Sequence, residues 1–245
     1  MSTACVLVAA GSGTRLAAGA PKAFVLLEGR ELLVHAAERV LRSGAVDQLV
    51  LVVPAGREGE ALALVAGVPG AGAAAVRAVP GGADRRSSVA AGIAALDAGV
   101  DVVLVHDAAR CLTPPAQVAD VAAAVAAGHE AVVPGLAVTD TVRSTGLPGS
   151  SGEAGSVQLD RAVLRLVQTP QGFRRDVLER AHATAAGGDA PEAALAVTDD
   201  ASLVELFGAR VHVVPGHEEA LKVTRPVDLL VASALLARER AGDPL

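Results

Sequence analysis

The chain is poor in aromatic residues. Of 245 residues none is Trp or Tyr, and Phe24, Phe173 and Phe207 are the only aromatic hydrocarbons. Stacking single-stranded bases needs a row of aromatic faces, so a base-stacking surface is excluded. A net charge of −6 argues against non-specific nucleic-acid binding as well. Cysteine is scarce too: Cys5 and Cys111 have no metal-ligand spacing and imply no disulfide framework. No apolar run approaches the ~20 residues of a membrane helix, and the short run from Ala4 to Ala10 lacks the basic leader of a secretory signal. A cytoplasmic home is expected. The most telling scarcity is lysine. Of 21 basic residues, 19 are Arg and only Lys22 and Lys222 are Lys. A compact ammonium and a forked guanidinium are not interchangeable in a tight phosphate site, so both survivors are candidate functional residues.

What is abundant is Ala, Val, Leu and Gly, and 51% of the chain is hydrophobic. One α/β domain over 1–245 is the expected arrangement at this length. Short apolar runs alternate with helical patterns. Strands are expected at Cys5–Val8, Leu49–Val53, Ala75–Val79, Val102–Val105, Ala131–Pro134 and Arg210–Val214. Helices are expected around Leu32–Leu41, Glu58–Ala66, Ser87–Leu96, Pro114–Ala126, Arg174–Ala185, Asp200–Phe207 and Val227–Arg238. This order predicts a mainly parallel twisted sheet with helices on both faces. The Gly/Ser/Pro-rich stretch from Ser144 to Ser156, with β-prone flanks, predicts a projecting arm at about 139–160.

Ligands in such sheets collect beyond the carboxyl ends of the strands. Ala9-Ala10-Gly11-Ser12-Gly13-Thr14-Arg15 opens from the first strand, with Lys22 seven residues on. Glycines let backbone N–H groups surround a polyphosphate, and Arg15 and Lys22 add fixed charge. Leu16 stands where a dinucleotide fingerprint needs its third glycine, and Pro54-Ala55-Gly56 replaces the acid that would end the second strand, which disfavours a dehydrogenase. Gly81-Gly82-Ala83-Asp84-Arg85-Arg86-Ser87-Ser88 offers backbone donors, hydroxyls and a helix N-terminus. Asp107, after the most uniform apolar strand, suits a ribose hydroxyl or Mg²⁺. His106 reads as structural, and Asp199 and Asp200 both read as helix caps. The toolkit of cations, hydroxyls and amides, without zinc spacing or a persuasive Ser/His/Asp set, fits phosphoryl or nucleotidyl transfer.

The blocks AAGSGTRL with PK, GGADRRSSV, HDAAR, DT, QTPQGF, TDDAS and LKVTRPVDL follow one another from residue 9 to 230. Together they resemble the 2-C-methyl-D-erythritol 4-phosphate cytidylyltransferase family of the non-mevalonate isoprenoid pathway. The resemblance implies a Rossmann-like nucleotidyltransferase fold, CTP as co-substrate, Mg²⁺, and a homodimer joined through β-arms. It implies that Arg15 and Lys22 stabilise the transition state at the α-phosphorus. Ala9, Ala10, Gly11, Gly13, Gly82, Arg85, Ser88, Asp107 and Ala108 would hold CTP, and Asp107 would stand by the metal. Asp107, Arg110, Thr141, Arg161, Thr169, Thr198 and Lys222 would bind the acceptor, with Arg161 and Lys222 also serving catalysis. Ala23, Cys111, Val167 and Ala220 depart from the family pattern, and Cys111 is expected to give the pocket a thiol-sensitive wall. The cyclodiphosphate synthase fused to some relatives is not expected here. A ribitol 5-phosphate cytidylyltransferase and a non-catalytic nucleotide-binding protein are the rival readings.

Overall fold

A computed structural model describes residues 1–11, 13, 16, 20–145, 156–187 and 197–242. The elements run β1 (Ser2–Val8), β2 (Leu26–Leu27), β3 (Arg30–Glu31), α1 (Leu32–Arg42), β4 (Gln48–Val53), α2 (Glu58–Val65), β5 (Ala75–Pro80), α3 (Arg85–Ala94), β6 (Val100–Asp107), α4 (Pro115–Ala126) and β7 (Ala131–Ala137). They continue with β8 (Arg143–Ser144), β9 (Val157–Gln158), β10 (Arg165–Val167), β11 (Gln171–Arg174), α5 (Arg175–Ala186), α6 (Asp200–Leu206), β12 (Val211–Pro215) and α7 (Pro226–Ala241).

Among the described residues eight strands form the main sheet. β5, β4, β1 and β6 run parallel in that order, β11 lies antiparallel between β6 and β7, and β7 pairs parallel with β12 and antiparallel with β10. The period of two in the strands decides the two cores. Cys5, Leu7, Leu49, Leu51, Val102 and Leu104 face the layer of α1, α2, α4 and α7. Ala4, Val6, Val50, Val52, Val103 and Val105 face α3, α5 and α6. Burying such Leu and Val side chains contributes roughly 1.5–3 kcal/mol each, so both layers of helices are firmly seated. Among the described residues no helix is long and apolar enough to cross a membrane.

The fold is the expected α/β class, with two strands of the main sheet, besides the short β2–β3 ladder, that the sequence did not announce. β10 and β11 were not expected because neither carries a long apolar run. β11 has Gly172 at its centre, where a Cβ would come within 2.7 Å of Val121 of α4. Close helix packing therefore demands the residue that hides the strand from a pattern reading. The expected arm is described only at its base, where β8 and β9 pair antiparallel as a ladder separate from the main sheet. Residues 146–155 of the Gly/Ser-rich stretch lie outside the described residues.

Candidate active site

A cleft of about 460 Å³ opens at the carboxyl ends of β1, β5 and β6. Its first wall is the turn after β1. Ala9 extends the strand by donating to Val52 O at 2.7 Å, and Lys22 N donates to Gly11 O at 3.3 Å. Gly13 has φ +69, and a Cβ there would stand 2.6 Å from Cβ of Lys22. Only glycine meets both demands, and it brings Lys22, which opens a short 3₁₀ turn after Pro21, onto the rim. Arg15 lies outside the described residues.

The second wall joins β5 to α3. Gly81 N donates to Val53 O at 2.8 Å. A Cβ on Gly81 would be 2.4 Å from that of Ala10, so the two glycine-bearing walls touch. Asp84 caps α3 by accepting from Ser87 N at 2.7 Å, and the Ser87 hydroxyl accepts from Asp84 N at 3.0 Å. Ser88 Oγ donates to Asp84 O at 2.7 Å and accepts from Gly82 N at 3.1 Å. The cleft is thus lined by the positive end of a helix and by amides held in place, an arrangement that favours anions.

Asp107, Ala108 and Ala109 form the floor at the end of β6. Asp107 N donates to Thr169 Oγ1 at 3.1 Å, and the same hydroxyl lies 2.8 Å from Nδ1 of His106. The Asp107 carboxylate lies between two cations: Lys222 Nζ at 2.7 Å and Arg85 Nε at 3.4 Å. Burial alone would raise its pKa, but Arg85 and Lys222 outweigh burial and hold the carboxyl far below the usual range. It is ionised at all physiological pH. Lys222 reaches the floor because its segment is pinned: Val223 N donates to Ala109 O at 2.9 Å, and Arg110 donates to Ala220 O at 2.8 Å and Val167 O at 3.2 Å.

The cleft therefore brings together Ala9, Ala10, Gly11, Gly13, Lys22, Gly82, Arg85, Ser88, Asp107, Ala108 and Lys222. Five expected acceptor residues are not on its lining. Thr169 is buried, with its hydroxyl committed to the backbone of Asp107 and to His106. Arg110 is a strut whose outer nitrogens serve two carbonyls. Thr141 is exposed beside the arm, and Arg161 is exposed with its guanidinium bonded to Thr139 O. Thr198 is exposed just ahead of α6.

Two expectations need correction. Cys111 is not in the cleft wall but in the core beneath it, 1% exposed, and burial pushes its thiol up to about 12. A neutral, enclosed thiol is a poor target for thiol reagents. Asp199 caps α6 by accepting from Ser202 N at 3.0 Å, but Asp200 is no cap. Its buried carboxylate accepts from Arg85 at 2.6 Å and lies 3.0 Å from His182 Nε2. The sequence signal for His182 is a polar side chain inside the apolar stripe Val177, Leu178, Ala181 and Ala185 of α5.

Among the described residues no group in the cleft is a good proton acceptor: the Asp84 carboxylate accepts from the backbone N and hydroxyl of Ser87, which hold its pKa down. Both oxygens of Asp107 face cations, and His106 is fully enclosed with burial lowering its pKa to about 4. Among the described residues no three His, Cys, Asp or Glu side chains converge as a metal cage. Fixed cations, oriented amides and the ionised carboxylates of Asp84 and Asp107 can bind a nucleotide and stabilise growing negative charge. They can serve a nucleophile only if it arrives already anionic.

Comparison with known proteins agrees with this chemistry. The family model described as 2-C-methyl-D-erythritol 4-phosphate cytidylyltransferase matches residues 3–238. The Streptomyces avermitilis protein of that name is 48% identical over 243 residues, covering 98% of this chain and 94% of its own. The Saccharopolyspora erythraea protein of that name is 45% identical over 242 residues, covering 97% and 100% respectively. The crystal structure of the Thermus thermophilus protein of that name superposes with a TM-score of 0.73 at 35% identity, covering 97% of this chain and 100% of that one. The chain belongs to the 2-C-methyl-D-erythritol 4-phosphate cytidylyltransferase family.

Proposed function

We propose that this protein transfers CMP from CTP to the phosphate of 2-C-methyl-D-erythritol 4-phosphate, forming 4-diphosphocytidyl-2-C-methyl-D-erythritol and releasing pyrophosphate. One observation carries the chemistry: an anion-binding cleft at the sheet's carboxyl edge with Lys22 and Lys222 on it and, among the described residues, no well-placed general base. A phosphate monoester dianion needs no base, and its oxygen can attack the α-phosphorus in line as pyrophosphate departs. The turn 9–13 and the Gly82–Ser88 wall hold the nucleotide. Lys22, with Arg15, stabilises the charge that grows on the α-phosphoryl group. Asp107 orients the ribose, and Lys222, released from Asp107 by the incoming ligands, takes the acceptor phosphate.

The Asp107 carboxylate fits Mg²⁺, which is held by one or two carboxylates together with substrate phosphates rather than by a protein cage. Bound there, Mg²⁺ would neutralise charge on the triphosphate. Thr141 and Arg161 flank the arm and complete the acceptor site of a neighbouring subunit in a two-fold dimer. Exposed Val157, Val163, Leu166 and Val167 around the arm support that reading, since a partner would cover them. Thr169 and Arg110 act from behind the cleft, through Asp107 and the Lys222 segment, and Thr198 is proposed to meet the acceptor.

The test is release of pyrophosphate with Mg²⁺ and CTP, comparing methylerythritol phosphate with ribitol 5-phosphate. Turnover with the former is expected. Turnover confined to ribitol 5-phosphate would move the assignment to that acceptor.

A further inference from the structure

Arg85 is held more tightly from outside the cleft than from within. Its Nε is 3.4 Å from Asp107, but its NH1 is 2.6 Å from Asp200 Oδ2. The Asp200 side chain is only 2% exposed, and its second oxygen lies 3.0 Å from His182 Nε2. An ionised carboxylate can only accept, so His182 carries its proton on Nε2. Burial would neutralise Asp200, but the His182 hydrogen bond and the Arg85 charge overcome it and keep the carboxyl ionised.

Three elements fix this anchor. β11 sends the Gln171 amide to the first turn of α6, where Nε2 donates to Asp199 Oδ2 at 2.7 Å and Oε1 accepts from Ala201 N at 3.1 Å. The residue between, Asp200, cannot shift along the helix axis without breaking that clamp. α5 supplies His182 behind it. Among the described residues Lys222, the other cation on Asp107, has no such brace, and its side chain is 41% exposed. The two cations thus differ in kind: Arg85 is tied to a second, buried carboxylate, whereas the contact described for the more exposed Lys222 is with Asp107 alone.

We propose that Asp200, backed by His182, is a positioning residue for nucleotide binding, holding the Arg85 guanidinium in the wall of the cleft beside Asp107. The inference rests on the proposed reaction, because CTP is the ligand whose binding it tunes. A buried ion pair can also be merely structural, and the two roles part in the kinetics. Bracing predicts an effect on the nucleotide and little on the acceptor.

Wild-type protein is assayed first, for pyrophosphate release and for CTP affinity by calorimetry. Asp200→Asn is then expected to raise KM and Kd for CTP about tenfold, while KM for methylerythritol phosphate stays within about twofold. His182→Leu should shift CTP in the same direction, and His182→Gln, which offers an N–H to the same oxygen, should restore it. Arg85→Gln combined with Asp200→Asn should be no worse than Arg85→Gln alone, since both act through one guanidinium. Because the double variant loses both charges and the His182 variants keep the ion pair, the test survives if Asp200→Asn alone fails to fold. Unshifted CTP constants in folded His182→Leu, equal shifts for both substrates, or additive penalties in the double variant would overturn the bracing. Absence of turnover by the wild type would instead overturn the proposed reaction.

Discussion

Lys22→Ala is expected to lower kcat on the order of 10²–10³-fold while changing KM for CTP far less. The reason lies in when the charge is needed. Bound CTP carries its negative charge mainly on the outer phosphates, whereas the α-phosphoryl oxygens gain charge only as the acceptor oxygen closes in. A cation fixed at that place stabilises the transition state more than the ground state and therefore acts on kcat. The structure supplies the fixing. The close approach of Gly13 to Lys22 and the bond from Lys22 N to Gly11 O tie the lysine backbone to the turn. Initial rates over a grid of both substrates measure the split. A rise in KM for CTP with kcat unchanged would make Lys22 a ground-state binder.

Arg161→Ala is expected to be nearly inactive for a different reason, and mixing it with Lys22→Ala tests the proposed dimer. Arg161 stands at the base of the arm, exposed and away from its own cleft. If each site combines one chain's Lys22 with the other chain's Arg161, a mixed dimer has one doubly defective site and one intact site. With random pairing half the dimers are mixed, so activity should return to roughly a quarter of wild type per total site. Co-expression with two affinity tags allows the mixed species to be isolated and assayed. Isolated mixed dimers without activity would place both residues in one chain's site.

Much of this was legible before any coordinates. The alternation of Val and Leu runs with amphipathic stretches specified the sheet and both helical layers. The two surviving lysines pointed to the cleft, because composition had removed lysine everywhere else. Local patterns failed where a residue's role depends on a distant neighbour. The sequence shows Thr169 only as a hydroxyl in a polar block, whereas its partners His106 and Asp107 lie more than sixty positions away. Asp199 and Asp200 looked alike as caps, and only the fold shows that Asp200 turns inward to Arg85, 115 residues away. Cys111 follows the arginine of a site motif yet packs under the cleft, in the same core cluster as its neighbour Leu112.

The central claim is direct in-line displacement by the acceptor phosphate, with no nucleophile or base supplied by the described residues of the site. It is tested most directly with CTP made chiral at the α-phosphorus by a single sulfur substitution, with the product configuration read by ³¹P NMR. One in-line displacement predicts inversion at phosphorus. Retention would mean two displacements through a covalent nucleotidyl-enzyme, and would contradict this account.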